Sequence, residues 1–222
     1  MELDCDGIPA VKSKIFDPDE AEQLRSRCQG SEAIITAVKE AEKKVKAPKL
    51  YDLTTLQREA NRIYGMTAKQ TLDTAQSLYE KKLITYPRTD SQYLTEDMEQ
   101  TARNVVRQIY EKYQLTGPFD QPEQPDVKKV MNNSKVTDHH AIIPTMELTS
   151  CHMDELKSWE EKILFLIAVH TVMAMSKNHI YQETEIEVEC QGEVFKTKGK
   201  TVPAGWMEKS LKTASKIRTA WQ

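Results

Sequence analysis

One short run holds residue types that bear on phosphoryl chemistry. In "KKLITYPRTDSQYL", residues 81–94, Tyr86 ends a strand-like apolar run and Arg88 stands two positions later. Pro87 disfavours the α conformation at Tyr86 and presses it into extended geometry. In an extended segment residues i and i+2 point to one side, so Tyr86 and Arg88 face a common ligand. A free phenol titrates near 10, and only about one in a thousand is ionised at neutral pH. A nearby cation eases formation of the phenolate, and a guanidinium grips phosphate through two parallel hydrogen bonds. That pairing suits attack on a phosphodiester. The plainer reading is a tyrosine anchored by its ring at a loop, with Arg88 paired to Asp90.

A second patch, "KVTDHHAIIPT", spans residues 135–145. His139 and His140 are adjacent, so in a strand or loop their rings diverge, and no further ligands follow at a usual metal spacing. One imidazole could donate to a phosphate oxygen or move a proton. On spacing alone, the pair reads as a histidine capping "AIIPT".

These patches need elements to hold them. "DLTTLQREANRIYG" places Thr54 three residues before Gln57, a capping-box pattern, with Gly65 as a stop. "MTAKQTLDTAQSLYEKK" repeats the device with Thr67 and Gln70. Two helices joined by a tight turn, with strand-like "LITY" directly after, suggest a winged-helix-like unit. A further helix is expected over 95–113, then the Pro-rich loop "TGPFDQPEQPDVKK" and the apolar helix "SWEEKILFLIAVHTVMAMSK". From Tyr181 the period changes to two, and Gly192 marks a hairpin turn. At the other end, "GIPAVKSKIF" reads as a strand, and Asp17 and Pro18 suit Ncap and N1 of a helix ending near Gly30. "SEAIITAVKEAEKKVKAP" has helix propensity but a β-branched start. A helical domain inserted between segments of one β domain, an α+β fold, is the simplest architecture.

The 222 residues suit one large domain or two small ones. No apolar run approaches a membrane span, and the acidic start lacks a signal-peptide profile. The 4 cysteines are scattered without a C-x-x-C pair, which speaks against a zinc ribbon and for reduced thiols in a cytoplasmic protein. A net charge of -3 excludes a generally basic surface. Contact with DNA must then come through a local patch, or through a basic surface elsewhere.

Taken together, "LYEKKLITYPRTDSQYL" and "TDHHAIIPT" resemble the type IA DNA topoisomerases, and within them the bacterial topoisomerase III branch. The helix pair over "LYDLTTLQREANRIYGMTAKQTLDTAQSLYE" and the later "FKTKGKTVPAGW" resemble the same family, in the same order, so the likeness covers about 48–207. The resemblance implies that Tyr86 is the nucleophile, forming a transient 5′-phosphotyrosine, that Arg88 contacts the scissile phosphate, and that His139, matching the histidine of the family's H-x-A-I-x-P block, is a catalytic and DNA-binding residue. His140 falls at a position that varies in the family and takes no role. Lys69, near the start of the second helix, is either a phosphate contact or a solvated surface lysine.

The resemblance further implies Mg²⁺ in the whole enzyme, held by a Toprim domain that this chain lacks. "DCD" at Asp4–Asp6 has a metal-motif spacing without a preceding apolar strand, so no metal is expected on this chain. The expected divisions are 1–50 as the first part of a β-rich arch, 51–177 as the tyrosine-bearing helical domain and 178–222 as return strands of the arch. The expected partner is single-stranded DNA, with a helicase by family analogy and no membrane. Two other classes remain. A non-enzymatic winged-helix DNA-binding module leaves Y-P-R and H-H-A-I-I-P unexplained. A strand-transfer recombinase would want several Arg and His residues about its tyrosine.

Overall fold

The computed structural model describes residues 2–5, 8–12, 15, 17–115, 125–176 and 178–201. The elements run β1 (Glu2–Cys5), β2 (Ile8–Val11), α1 (Pro18–Cys28), β3 (Ile34–Val45), α2 (Leu53–Tyr64), α3 (Ala68–Glu80), α4 (Glu99–Tyr113), α5 (Ser158–Ala174), β4 (His179–Cys190) and β5 (Glu193–Thr201). The fold is therefore mixed: helices together with one open antiparallel sheet ordered β1-β2-β5-β4-β3. The Pro-rich loop at 116–124 and the Gly-Trp end of "FKTKGKTVPAGW" lie outside the described residues, as does Asp6.

The chain divides into two units, Met1–Val45 with the segment from His179, and Lys46–Asn178. In the first, β3 pairs with β4 from Ile34↔Glu189 to Val45↔His179. Here the ambiguous segment is a strand, against its helix propensity. Alternate residues of β4, Glu183, Glu185 and Glu187, form ion pairs with Lys43 and Lys39 of β3 and with Lys196 and Lys198 of β5. The alternate face of β4 supplies Val188 and Cys190 to a small core with Ala10, Leu24, Cys28 and Phe195. Gln191 and Gly192, at φ 51° and 77°, make the β4–β5 turn, a left-handed pair matching the twist of a two-residue hairpin.

The second unit is helical. α5 is apolar on much of its circumference, and Ile163, Leu164, Ile167 and Ala168 are fully buried. It packs against α2, α3 and α4, which contribute Leu56, Ala60, Ala75, Leu78, Ala102, Val105 and Ile109 to one core. α3 has the expected Thr67–Gln70 capping box. In α2 the box is not Thr54–Gln57 but Asp52–Thr55. Leu53 N–H donates to Thr89 O (3.0 Å), which fixes the helix start two residues earlier. Asp52 then accepts from Thr55 N–H (2.6 Å), and Gln57 turns away to donate from Nε2 to Ala68 O (3.0 Å). The helix expected over 95–113 begins as a 3₁₀ turn, Glu96–Met98, before α4. "LITY" makes a single bridge, Ile84↔Pro144, rather than a strand ladder.

Glu160 pins α5 to α3. Its carboxylate, 3% exposed, accepts from Lys81 Nζ (2.7 Å), Ser77 Oγ (2.6 Å) and Lys157 N–H (2.9 Å). Burial acts to raise this carboxyl; the hydrogen bonds from Lys81, Ser77 and Lys157 outweigh it and hold it below the ordinary range. A folded-state value below the unfolded one lends stability above the unfolded value of about 4.3. That stability is lost as the pH falls through the lowered folded value. Glu160→Gln should therefore cost about 1–3 kcal/mol near neutral pH. The gap between wild type and variant should begin to narrow below about pH 4.3 and close as the pH falls through the lowered folded value, as denaturant melts across that range will show.

Candidate active site

The run 81–91 is built by the end of α3. Lys82 adopts the left-handed conformation at φ 60°, where glycine is usual. Lys82 N–H donates to Tyr79 O (2.8 Å) and Leu83 N–H to Leu78 O (2.9 Å), closing the helix in a Schellman turn. The chain thereby leaves α3 at a sharp angle and meets the segment 139–145 running the other way.

Thr85 and Thr89 zip the two segments together. Thr85 N–H donates to Ile143 O (3.0 Å), Ile143 N–H to Thr85 Oγ1 (3.0 Å), and Thr85 Oγ1 to Ala141 O (3.0 Å). Thr145 N–H donates to Leu83 O (3.0 Å). At the other end the buried Thr89 Oγ1 donates to His139 O (2.9 Å) and accepts from Ser91 N–H (3.1 Å). Burial alternates along the run: Pro87, Thr89 and Ser91 are buried, whereas Arg88 and Asp90 are exposed and Tyr86 is half-buried. Steric restriction before Pro87 and these hydroxyl clamps account for that extended geometry.

Tyr86 and His139, 53 positions apart in sequence, are thereby brought together with ring centroids 4.3 Å apart and planes inclined at 44°. Tyr79, at the end of α3, meets the Tyr86 ring edge-on at 5.4 Å. Tyr86 is thus held by its ring from two sides, while its hydroxyl makes no hydrogen bond among the described residues. Arg88 is exposed and forms neither the ion pair with Asp90 nor any other among the described residues. His140 does not join the pair; its Nδ1–H donates to Ala141 O (2.8 Å), a local cap of the kind expected on spacing alone. Lys69 is exposed at the second position of α3, without a partner among the described residues. The nearby capping-box groups, Thr67 and Gln70, bond to each other.

The arrangement offers a phenol oxygen free to attack, an unpaired guanidinium on the same loop and an imidazole against the phenol ring. Thr85, Thr89 and Tyr79 were not legible as site residues. A threonine in a loop carries no distinctive spacing, and the alternation through 85, 87, 89 and 91 was the one usable signal. Thr89→Val keeps the shape and deletes the clamp on His139, leaving Ser91 N–H without its acceptor. It should cost about 1–2 kcal/mol in a urea melt, most of which Thr89→Ser restores.

Among the described residues no group of three or more His, Cys, Asp or Glu side chains converges on a metal site. The described residues do not fit the Mg²⁺ that the resemblance implies. Nor is any helix of the described residues long and apolar enough to cross a membrane.

Comparison with known proteins adds independent findings. Residues 8–219 match the family model described as DNA topoisomerase. The chain is 38% identical over 210 residues to DNA topoisomerase 3 of Bacillus subtilis (strain 168), covering 93% of this chain and 29% of that protein. It is 36% identical over 206 residues to DNA topoisomerase 3 of Staphylococcus epidermidis, covering 91% and 29%. Full-length topoisomerase I from Thermotoga maritima superposes with a TM-score of 0.66 at 27% identity, over 90% of this chain and 33% of that one. The chain thus spans about three-tenths of the length of the curated relatives it matches.

Proposed function

This chain belongs to the type IA DNA topoisomerase family, and from that premise we propose that it supplies the tyrosine-bearing part of an enzyme that cuts and rejoins one DNA strand. The observation that carries the reading is the 4.3 Å approach of the Tyr86 and His139 rings, with Arg88 unpaired on the same loop. In this reading the helical unit, with its α2–turn–α3 pair, is the winged-helix-like tyrosine domain. The sheet unit is part of a β-rich arch.

Tyr86 Oη attacks phosphorus, its bond to phosphorus forming as the bond to the 3′-oxygen breaks. The phenol proton leaves, and the departing 3′-oxygen takes up a proton and becomes a hydroxyl. DNA remains joined to the protein through a 5′-phosphotyrosine. One phosphodiester replaces another, so rejoining is the same step reversed and needs no ATP. Arg88 binds the non-bridging oxygens by its planar fork. His139 donates to the same phosphate, its backbone fixed by Thr89. The proton acceptor and donor come from outside these three residues. Strand passage, the preference for single-stranded DNA and a helicase partner extend this reading to the complete enzyme.

The polarity of the covalent product tests it. When the complete enzyme cuts a single-stranded oligonucleotide and is quenched with denaturant, a 3′-end label should stay on the protein and a 5′-end label should be released. The opposite partition of the labels would refute a 5′-phosphotyrosine.

A further inference from the structure

Beside the Tyr86 loop lies a cluster that the proposed chemistry does not use. Lys135 Nζ stands 4.9 Å and Lys49 Nζ 5.5 Å from the centroid of the half-buried Tyr93 ring. Both lysines are exposed, and neither forms an ion pair with a carboxylate among the described residues. Two ammonium groups drawn to one phenol repel each other, and no fixed anion offsets that repulsion.

All three backbones are held in place. His170 Nε2–H donates to Lys49 O (2.8 Å), and the His170 ring stacks on Tyr51 at 3.7 Å. Ser91 Oγ donates to Lys135 O (2.9 Å) and accepts from Tyr93 N–H (3.1 Å). Tyr93 O accepts from Ala141 N–H (2.9 Å), and Ala141 O accepts from Thr85 Oγ1, one residue before Tyr86. The cluster is thus tied to the Tyr86 loop through Ser91, which also donates its N–H to Thr89 Oγ1, and through Ala141. Burial acts to raise the Tyr93 phenol; hydrogen bonds from Lys135 and Lys49 and their charges overcome it and hold the phenol below its ordinary value.

We propose that Lys49, Tyr93 and Lys135 form a second phosphate station, gripping a phosphodiester of the DNA strand whose scissile phosphate lies at Tyr86. This rests on the reading of the chain as part of a strand-cleaving enzyme. The two ammonium groups neutralise the phosphate, and the Tyr93 hydroxyl donates to it. The station holds the strand by its backbone and takes no part in the bond exchange, so it reads no base.

The test is a fluorescence-anisotropy titration of the chain with a labelled single-stranded oligothymidine over a range of salt. Lys49→Gln/Lys135→Gln should weaken binding on the order of tenfold. It should also flatten the plot of log affinity against log salt by about 0.7, the slope for one phosphate neutralised on a single strand. Lys49→Arg/Lys135→Arg should retain both affinity and slope. Tyr93→Phe, which keeps the ring beneath the lysines, should lose only a few-fold. Lys39→Gln/Lys43→Gln on β3, an equal change of charge, should leave the slope unchanged. Unaltered binding in the Lys49/Lys135 variant would overturn the station. So would an equal loss in the β3 variant, or no binding by the wild type at low salt. None of these outcomes touches the reading of Tyr86, which rests on the polarity of the covalent product.

Discussion

Tyr86→Phe should remove covalent capture of DNA by the complete enzyme altogether, with the fold and non-covalent binding close to wild type. The substitution deletes one oxygen, and that oxygen is the proposed nucleophile. The ring contacts with Tyr79 and His139 remain, because both are made by the aromatic faces and edges. The hydroxyl has no partner among the described residues, so its loss strands no buried donor or acceptor. The stability change should then stay within about 0.5 kcal/mol. Denaturing gels of quenched reactions give the readout, and a urea melt of the same preparation shows that the fold is intact. Tyr79, against the Tyr86 ring, and Tyr93, seven residues further along the chain, are the rival phenols. Protein-linked DNA recovered from the Phe variant and mapped to either would sink the assignment.

Arg88→Ala should slow single-turnover cleavage by about a hundred- to a thousandfold, the usual cost of losing one preorganised electrostatic donor. The guanidinium is exposed and unpaired, so its removal should leave the melting curve unchanged. Arg88→Lys restores the charge but not the planar fork and should recover only part of the rate. The contrast separates a phosphate contact from a structural arginine. A structural role would show itself in the melt, and a role in DNA affinity alone would be rescued by a higher DNA concentration. An unchanged cleavage rate in Arg88→Ala would remove Arg88 from the site.

What could be read in advance followed the range of the forces involved. Thr67, Gln70 and Gly65 act on neighbours a few positions away, so the α3 cap and the α2–α3 turn were visible in the sequence. Asp17 and Pro18 announced α1 for the same reason. The α2 cap was misplaced by two residues because its start is fixed by Thr89 O, a partner remote in sequence. β3 shows the same limit more strongly. "AVKEAEKKV" carries helix formers, and its strand state comes from β4, where Glu183 and Glu187 meet Lys43 and Lys39. At the site, Tyr86 and Arg88 stood out through Pro87 and their spacing. The approach of His139 came only with the family resemblance and not from spacing, because Thr85 and Thr89 create it by bonding to backbone atoms of a distant segment.

The closing pair of β3 and β4, Val45↔His179, has a consequence for the order of folding. The whole of residues 46–178 lies between these two partners, so in an unfolded chain their meeting closes a very long loop. Loop-closure entropy rises by about 0.6 kcal/mol for each doubling of length, and non-local pairing is slow for the same reason. Within the helical unit, Ala47 N–H donates to Asn178 Oδ1 (3.2 Å), so that unit brings its own two ends side by side as it forms. Once it has formed, β3 and β4 meet as the arms of an ordinary hairpin would. The helical unit is therefore expected to form first and to act as a nucleus for the sheet. In a refolding time course, helical signal should precede protection of the β3 amides from hydrogen exchange. A short turn spliced between Val45 and His179 should let the sheet form without delay.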